Sequence, residues 1–292
     1  MFHNVPRHLL VSPAENVGRA AVRQNVQMRK PLIATIAAVC ALAIAATGTD
    51  FGFAIYAEYR LSRTLRAEAN LSSDPSVAIL VFPFIPQALA HRYKEVEIKA
   101  HGVDHAETGK ATLEGTLHGI DISKASWLIR PDSPLRVDRV ESRIIIDSNH
   151  LGRFMGINDL AVEPPPKEQN DATGGTTESG ISTGTGLLFT GTPKTGEFQH
   201  KVTVSVDVSV GGPDKTDLQF VATSVVTGPG TADRDVPEDQ QAGVFGAFTK
   251  VVPQQKLPFA IEPTTVGARG SDVIIEGIAK GVTISLDAFK QS

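Results

Sequence analysis

The chain has 292 residues, of which 41% are hydrophobic, and 28 Lys and Arg against 32 Asp and Glu give a formal net charge of -4. This composition is typical of a globular protein, and the charge argues against a nucleic-acid partner, which needs a basic face for its phosphates. The only cysteine, Cys40, rules out a disulfide framework and a cysteine-based metal site.

The N-terminal region contains a candidate membrane segment. Residues 1–30 are polar and basic, which predicts a disordered tail. No charged residue occurs from Pro31 to Thr49, and this length suits a helix that crosses a bilayer. Residues 31–54 therefore predict a transmembrane anchor or uncleaved signal, with a signal peptide cleaved near Ala43-Ile44-Ala45 as the alternative. A slight excess of preceding basic residues favours a single-pass protein of the cell membrane, with its C-terminal domain on the extracytoplasmic (periplasmic) side.

An amphipathic helix is predicted at residues 55–69, where Leu61 and Leu65 lie one turn apart. The following stretch is harder to assign, because Pro83 and Pro86 interrupt the apolar run that begins at Val77. Proline disfavours both a regular helix and a central strand. We therefore expect irregular backbone here, whose apolar side chains are buried or line a cleft.

Three β-rich segments come next, at residues 96–100, 111–123 and 137–147, and predict an antiparallel meander. A short helix follows, with Asp147 or Ser148 as its N-cap and Gly156 as its end. Residues 163–186 contain almost no large apolar side chains, which predicts a flexible insert. This insert either divides two sheet layers or is a surface insertion within one.

The clearest periodicity is the alternation of valine with polar residues from Lys201 to Val210, which predicts a long strand with one valine face. Gly211 to Asp214 form a turn into a second strand, so a hairpin is expected. A helix from Pro237 to Val252 is predicted to cover an apolar face. Glycine-rich corners at 267–270 and 277–281 are expected to separate the short terminal strands.

No motif in the sequence predicts an enzyme. A nucleophile elbow, a phosphate loop and a dinucleotide fingerprint are all absent from the sequence. His101, Asp104, His105 and His118 are residue types that bind divalent metals or act as a general base. The first three fall in a segment that contains a glycine after a strand, so an exposed turn is the simpler interpretation, and no catalytic or metal-binding residue and no cofactor is predicted.

Seven segments together suggest a family. They are AEYRLSRTLR at 57–66, DPSV at 74–77, FPFIPQAL at 82–89, HRYKEVEIKAHGV at 91–103, LHGI at 117–120, and the closing KLPFAI with DVIIEGIAKGVTI. This set resembles the LmeA-like phospholipid-binding family of actinobacterial cell-envelope proteins. The chain departs from the family pattern at Val81, where glycine is frequent, and at Pro86, where threonine is frequent.

The resemblance implies a fold like that of tubular lipid-binding proteins. The expected class is α+β, mostly antiparallel, with curved sheets that wrap one or two amphipathic helices around an apolar lipid groove. The resemblance also implies a role in the cell envelope and, for one branch, phospholipase activity, although no catalytic residue is carried over to this sequence.

We therefore predict a membrane-anchored exported domain at residues 55–292, a monomer that binds the acyl chains of phospholipid or another acyl lipid. The predicted lining is apolar and consists of Phe82, Phe84, Ile85, Val96, Ile98, Val202, Val204, Val206, Val208, Phe245, Phe248 and Phe259. One alternative is a lipid hydrolase, which would need Ser, Asp or His at the groove mouth. The other is a non-lipid β-sandwich interaction module with a fully packed core.

Overall fold

The computed structural model describes residues 15–105, 109–122, 126–130, 133–164 and 186–290, with only the backbone for residues 15–30 and His105. Its helices are α1 (Glu15–Glu68), α2 (Phe84–Ala90), α3 (Ser148–Met155) and α4 (Glu238–Phe248). Its strands are β1 (Ser76–Leu80), β2 (Arg92–His105), β3 (Gly109–Asp121), β4 (Leu135–Ile146), β5 (Ile157–Glu163), β6 (Gly186–Pro193), β7 (Val202–Gly211), β8 (Asp217–Val225), β9 (Lys250–Val252), β10 (Thr265–Arg269) and β11 (Asp272–Ile284). The α+β class, with two antiparallel sheets, is confirmed.

The chain divides into two compact units, Met1–Gly52 and Phe53–Ser292, and α1 contributes to both. Helix α1 begins at Glu15 and so includes residues 15–30 of the predicted tail, which contain good helix formers such as Ala, Arg and Gln. Residues 1–14 lie outside the described part. The stretch Pro31–Glu68 is long and apolar enough to cross a membrane, although a signal sequence shares these features.

In the described residues, the first sheet has six strands in the order β1-β2-β3-β4-β11-β10 and curls into a half-barrel. The predicted meander is confirmed as β2, β3 and β4. The predicted glycine corner at 277–281 is wrong, because β11 runs through it without a break. Gly277 has another purpose there: a Cβ atom at this position would lie 2.4 Å from the carbonyl oxygen of Glu262, so glycine permits a close crossing of two segments.

The second sheet has, among the described residues, five strands in the order β5-β6-β7-β8-β9. The predicted valine hairpin is confirmed as β7 and β8. The predicted helix at 237–252 ends early, at Phe248, because Thr249 is extended and Lys250–Val252 pair with the edge of β8. Pro237 is the residue before the helix rather than its first residue.

Helix α3 connects the two sheets. As predicted, Asp147 is the N-cap: its carboxylate accepts hydrogen bonds from the backbone N–H of Asn149 at 2.8 Å and of His150 at 3.3 Å. Gly156, with φ of 73°, ends the helix. The insert leaves β5 and returns to β6, which pair with each other, so it joins two strands of one sheet and does not divide the sheets. Residues 165–185 of the insert lie outside the described part.

Helix α2 corrects the prediction of irregular backbone. Pro83 is its N-cap and Pro86 is its third residue. The first N–H groups of a helix have no partner within the helix, so proline costs no hydrogen bond in the first turn. Proline therefore fits the beginning of this short helix.

Candidate functional site

The C-terminal part of α1 lies along the free edge of β1. The Glu58 carboxylate accepts a hydrogen bond from the backbone N–H of Ile79 at 2.7 Å, and the Ser62 hydroxyl donates one to the carbonyl oxygen of Pro75 at 2.6 Å. These bonds satisfy backbone groups that an edge strand would otherwise expose. They fix α1 beside the curled sheet.

One stripe of α1 is buried against the apolar interior. Ala57, Leu61 and Leu65 lie four residues apart, as expected for one face of a helix, and are nearly inaccessible to solvent. They belong to the same apolar cluster as Val96 and Leu117, which lie opposite each other on β2 and β3. The curled sheet therefore packs against a helix, as the family resemblance implies.

A cleft of about 430 Å³ runs along this part of α1. Its apolar lining comes from Ala57, Leu61, Leu128 and Ile129. Its polar lining comes from Arg60, Thr64, Glu68, Ser126 and Arg130. The volume lies within the range of small-molecule sites, about 300–1,000 Å³, and the combination of apolar and cationic groups suits a ligand that is itself amphipathic.

Aromatic rings hold the loop at 126–130, which forms one wall of the cleft. The Trp127 ring packs edge-on against Phe53 of α1, with a centroid distance of 6.1 Å, and against Phe84 of α2, at 6.3 Å. The Tyr93 hydroxyl donates a hydrogen bond to the carbonyl oxygen of Trp127. Burial raises the pKa of Tyr93 to about 12, so the hydroxyl remains a donor at neutral pH.

The far part of the curled sheet is closed by the protein itself. Gly115 lies opposite Ile98 and Ser142, and a Cβ atom at Gly115 would lie 2.6 Å from the Phe259 ring. Phe259 also packs against Phe289, with a centroid distance of 5.3 Å, and the Ser142 hydroxyl donates a hydrogen bond to the carbonyl oxygen of Pro258 at 2.8 Å. The space over Gly115 and Ser142 is therefore filled by the rings of Phe259 and Phe289.

The second sheet is also filled. Val202, Val204 and Val206 are fully buried, together with Phe189 and Phe220, whose rings lie 5.4 Å apart. Helix α4 packs against β8 and contributes two more buried residues, Val244 and Phe248. The cover that the valine face requires is supplied by the protein.

The twelve residues predicted to line a lipid groove fall into separate places. Phe84, Val96, Ile98 and Phe259 are buried in the curled sheet and Ile85 is half-buried, whereas Phe82 is exposed. In the second sheet, Val202, Val204, Val206 and Phe248 are buried, and Val208 and Phe245 are half-buried. None of the twelve lines the cleft along α1. Their contact with lipid stays a prediction.

The histidines lie in β2 and β3, which run on where an exposed turn was expected. A histidine nitrogen of His118 lies 3.3 Å from Glu141, and one of His101 lies 3.2 Å from Thr112. Glu141 and Thr112 lie on the face of the curled sheet that also carries a buried ion pair, in which Arg143 Nε is 2.6 Å from a carboxylate oxygen of Glu276. Among the described residues, no group of three or more His, Cys, Asp or Glu could hold a metal ion.

A curled antiparallel sheet that packs against a helix is the geometry that the resemblance implied, whereas the cleft at their junction has a mixed lining and not the apolar groove that was expected. The family model described as LmeA-like phospholipid-binding matches residues 48–278, most of the chain. The chain belongs to the LmeA-like phospholipid-binding family. The match extends from the middle of α1 into β11 and so includes both walls of the cleft. No curated protein and no solved structure matches the chain.

The sequence analysis missed the cleft of this LmeA-like protein. Its walls come from α1 and from the loop at 126–130, which lie far apart in the chain. The spacing of Leu61 with Leu65 predicted the helix and its buried face. Nothing in the local pattern around Ser126 or Arg130 indicates that this loop meets α1.

Proposed function

We propose that this protein is anchored in the cell membrane by α1 and binds phospholipid in the cleft beside α1, on the extracytoplasmic side, as part of cell-envelope lipid handling. One observation carries the proposal: the helix with a membrane-spanning composition continues without a break into the wall of an amphipathic cleft. Membership of a phospholipid-binding family supports the class of ligand.

The cleft lining matches the two parts of a phospholipid. Leu61 and Ile129 form a buried apolar base of the cleft, and Leu128, which is half-buried, offers apolar surface to an acyl chain, where each buried methylene contributes about 0.8 kcal/mol. Arg60 and Arg130 are cations at the same cleft, and guanidinium groups form strong charge-assisted hydrogen bonds with phosphate. Since most of the affinity would come from apolar contact, we expect loose selectivity among acyl chains.

The test is to fill the cleft without disturbing the core. Thr64 lines the cleft, is half-buried, and its hydroxyl bonds only within α1, to the carbonyl oxygen of Arg60 at 2.8 Å among the contacts described. Thr64→Trp should therefore occupy the cleft at little cost in stability. Ala67→Trp is the matched control, because Ala67 is exposed on the same helix and does not line the cleft.

The full chain and both variants would be purified in detergent and analysed by native mass spectrometry for retained phospholipid. The proposal predicts stoichiometric phospholipid in the wild type and in Ala67→Trp, and loss of it in Thr64→Trp. Equal retention in the two variants would contradict the proposal, since lipid around the anchor is the same in both. Release of free fatty acid from added phospholipid would instead favour a hydrolase.

A further inference from the structure

Four apolar side chains are exposed in three neighbouring pieces of chain: the residues before α2, α2 itself, and the loop at 126–130, whose Trp127 packs against Phe84 of α2. Leu89 is 75% exposed, Phe82 57% and Trp127 37%, and Val81 beside Phe82 is also exposed. We call these four residues the apolar patch. Large apolar side chains that cluster on a surface mark a binding site more often than those scattered singly.

The backbone that carries this patch is held from inside. The buried side-chain amide of Gln87 donates hydrogen bonds to the carbonyl oxygens of Val81 and, at 3.1 Å, of Pro83, and its oxygen accepts one from the backbone N–H of Lys94 at 2.9 Å. Val81 has φ of 69°, a strained conformation for a β-branched residue. The fold thus retains strain at a point where it directs apolar side chains into solvent.

The position of the patch along the chain indicates what covers it. Trp127 packs against Phe53, and Phe53 immediately follows the unit that contains the apolar stretch of α1. A hydrocarbon core of about 30 Å takes about 20 helical residues from Pro31, so Phe53 would lie within about 5 Å of its boundary. The ring contacts of Trp127 with Phe53 and with Phe84 therefore keep the loop at 126–130 and the start of α2 near Phe53, where the chain would leave the bilayer.

Helix α1 carries the residue types of a membrane interface in the right order. Tyr56 and Tyr59 are exposed after Phe53, and arginines follow at Arg60 and Arg63. The Arg63 guanidinium lies over the Tyr59 ring, 5.6 Å from its centroid. Aromatic rings favour the interface between hydrocarbon and headgroups, and cations favour the anionic headgroups beyond it, about 10 Å further along the helix.

We propose that the apolar patch of Val81, Phe82, Leu89 and Trp127 inserts into the headgroup region of the bilayer beside the anchor. The inference rests on the proposed anchor but not on phospholipid binding in the cleft. It assigns a function to the exposed residues around the Phe-Pro-Phe segment: they hold the domain against the bilayer. If the cleft binds phospholipid as proposed, this position also keeps the cleft next to its lipid source.

The only tryptophan of the chain, Trp127, is a built-in probe. The full chain would be reconstituted into vesicles of phosphatidylcholine and phosphatidylglycerol, in which the phosphatidylcholine is brominated either near the glycerol end or near the methyl end of its acyl chains. We expect bromine near the glycerol end to reduce Trp127 emission by about twofold or more, and bromine near the methyl end to have a weaker effect.

The double variant Phe82→Ser, Leu89→Ser should lose most of this quenching and still retain phospholipid in detergent. Its control is Val221→Ser, Val251→Ser, which removes two apolar side chains that are similarly exposed on the second sheet. Three results would overturn the inference: emission that is equal in brominated and plain vesicles, quenching that survives the patch variant, or a chain that does not float with the vesicles. The last result alone also refutes the anchor, whereas loss of cleft lipid with intact quenching refutes only the proposed binding site.

Discussion

The valine face of the second sheet and the cleft beside α1 are both apolar, but the protein closes them to different degrees. Val204 and Val206 have no accessible surface, because phenylalanine rings and α4 cover them. Along α1, Leu61 and Leu128 instead border a space of about 430 Å³. The most hydrophobic pattern in the sequence is therefore part of the core, whereas the open site has a mixed lining.

This difference has a physical reason. A continuous valine face is poorly solvated, so folding is favoured when the chain supplies its own cover. A cleft that must stay accessible needs polar groups around it, and Arg60, Ser126 and Arg130 supply them. A continuous apolar stripe in a sequence therefore predicts burial. It predicts a ligand site only where polar groups from other parts of the fold lie beside it.

The largest effect is expected in the closed region. Phe248→Ala should lower the free energy of unfolding by about 3–5 kcal/mol, because the ring is fully buried and its loss leaves a cavity. Urea denaturation of the full chain in detergent, followed by circular dichroism, measures this change. Phe245→Ala on the same helix is the control and should cost clearly less, since Phe245 is only half-buried. Equal costs would show that the second sheet is not closed as described.

A smaller effect is expected at the cleft. Leu61→Ala should cost about 2 kcal/mol, near the lower limit for this substitution, because its side chain borders a space that solvent or lipid can fill. Leu65→Ala, one turn further along α1 and fully buried, should cost more. The same denaturation experiment compares them. A greater loss for Leu61 than for Leu65 would contradict the view that the cleft is open.

Local chemistry alone predicted several elements. The valine alternation with its Gly-Gly-Pro-Asp turn predicted β7 and β8, and Asp147 with Gly156 predicted both ends of α3. In each case the residues that determine the structure are neighbours in the chain. Hairpins and helix caps can therefore be predicted from the sequence.

Most of the errors arise where a segment distant in the sequence determines the local structure. Gly277 predicted a corner, but it lies within β11, which pairs with β4, and the glycine leaves room for the carbonyl oxygen of Glu262. The last turn of the predicted helix at 237–252 became β9 because β8 offered an unpaired edge. The error at Pro86 is local instead: the proline predicted a break in regular structure, whereas its position in the first turn is compatible with α2. The cleft itself depends on a long-range meeting of α1 with the loop at 126–130.

The wall of the cleft can be loosened at Tyr93. Tyr93→Phe removes the hydrogen bond to the carbonyl oxygen of Trp127 and should cost about 1 kcal/mol at neutral pH. Burial raises the pKa of the wild-type hydroxyl from its usual 10.0 to about 12, so this group stabilises the fold fully below pH 10, and the contribution is lost as the pH rises to about 12. The variant should lack this alkaline loss. Parallel stability profiles for both proteins between pH 8 and pH 12 would contradict the raised pKa, and equal stability of the two proteins at neutral pH would contradict the assigned bond.

The smallest effect is expected at Val81, whose φ is positive. A non-glycine residue at positive φ costs about 1–2 kcal/mol, and glycine loses about 0.5–1 kcal/mol more backbone entropy on folding, so Val81→Gly should stabilise the protein by about 0.5 kcal/mol. Val81→Ala is the control, because it removes the exposed side chain and keeps the strained φ, and it should not stabilise. Thermal unfolding of the three proteins in detergent measures the difference. If Val81→Gly also weakens the quenching of Trp127 by brominated lipid, the Val81 side chain is needed for contact with the bilayer. The strained backbone at Val81 then lowers the stability of the region around the cleft in return for that contact, and the closed second sheet has no such loss.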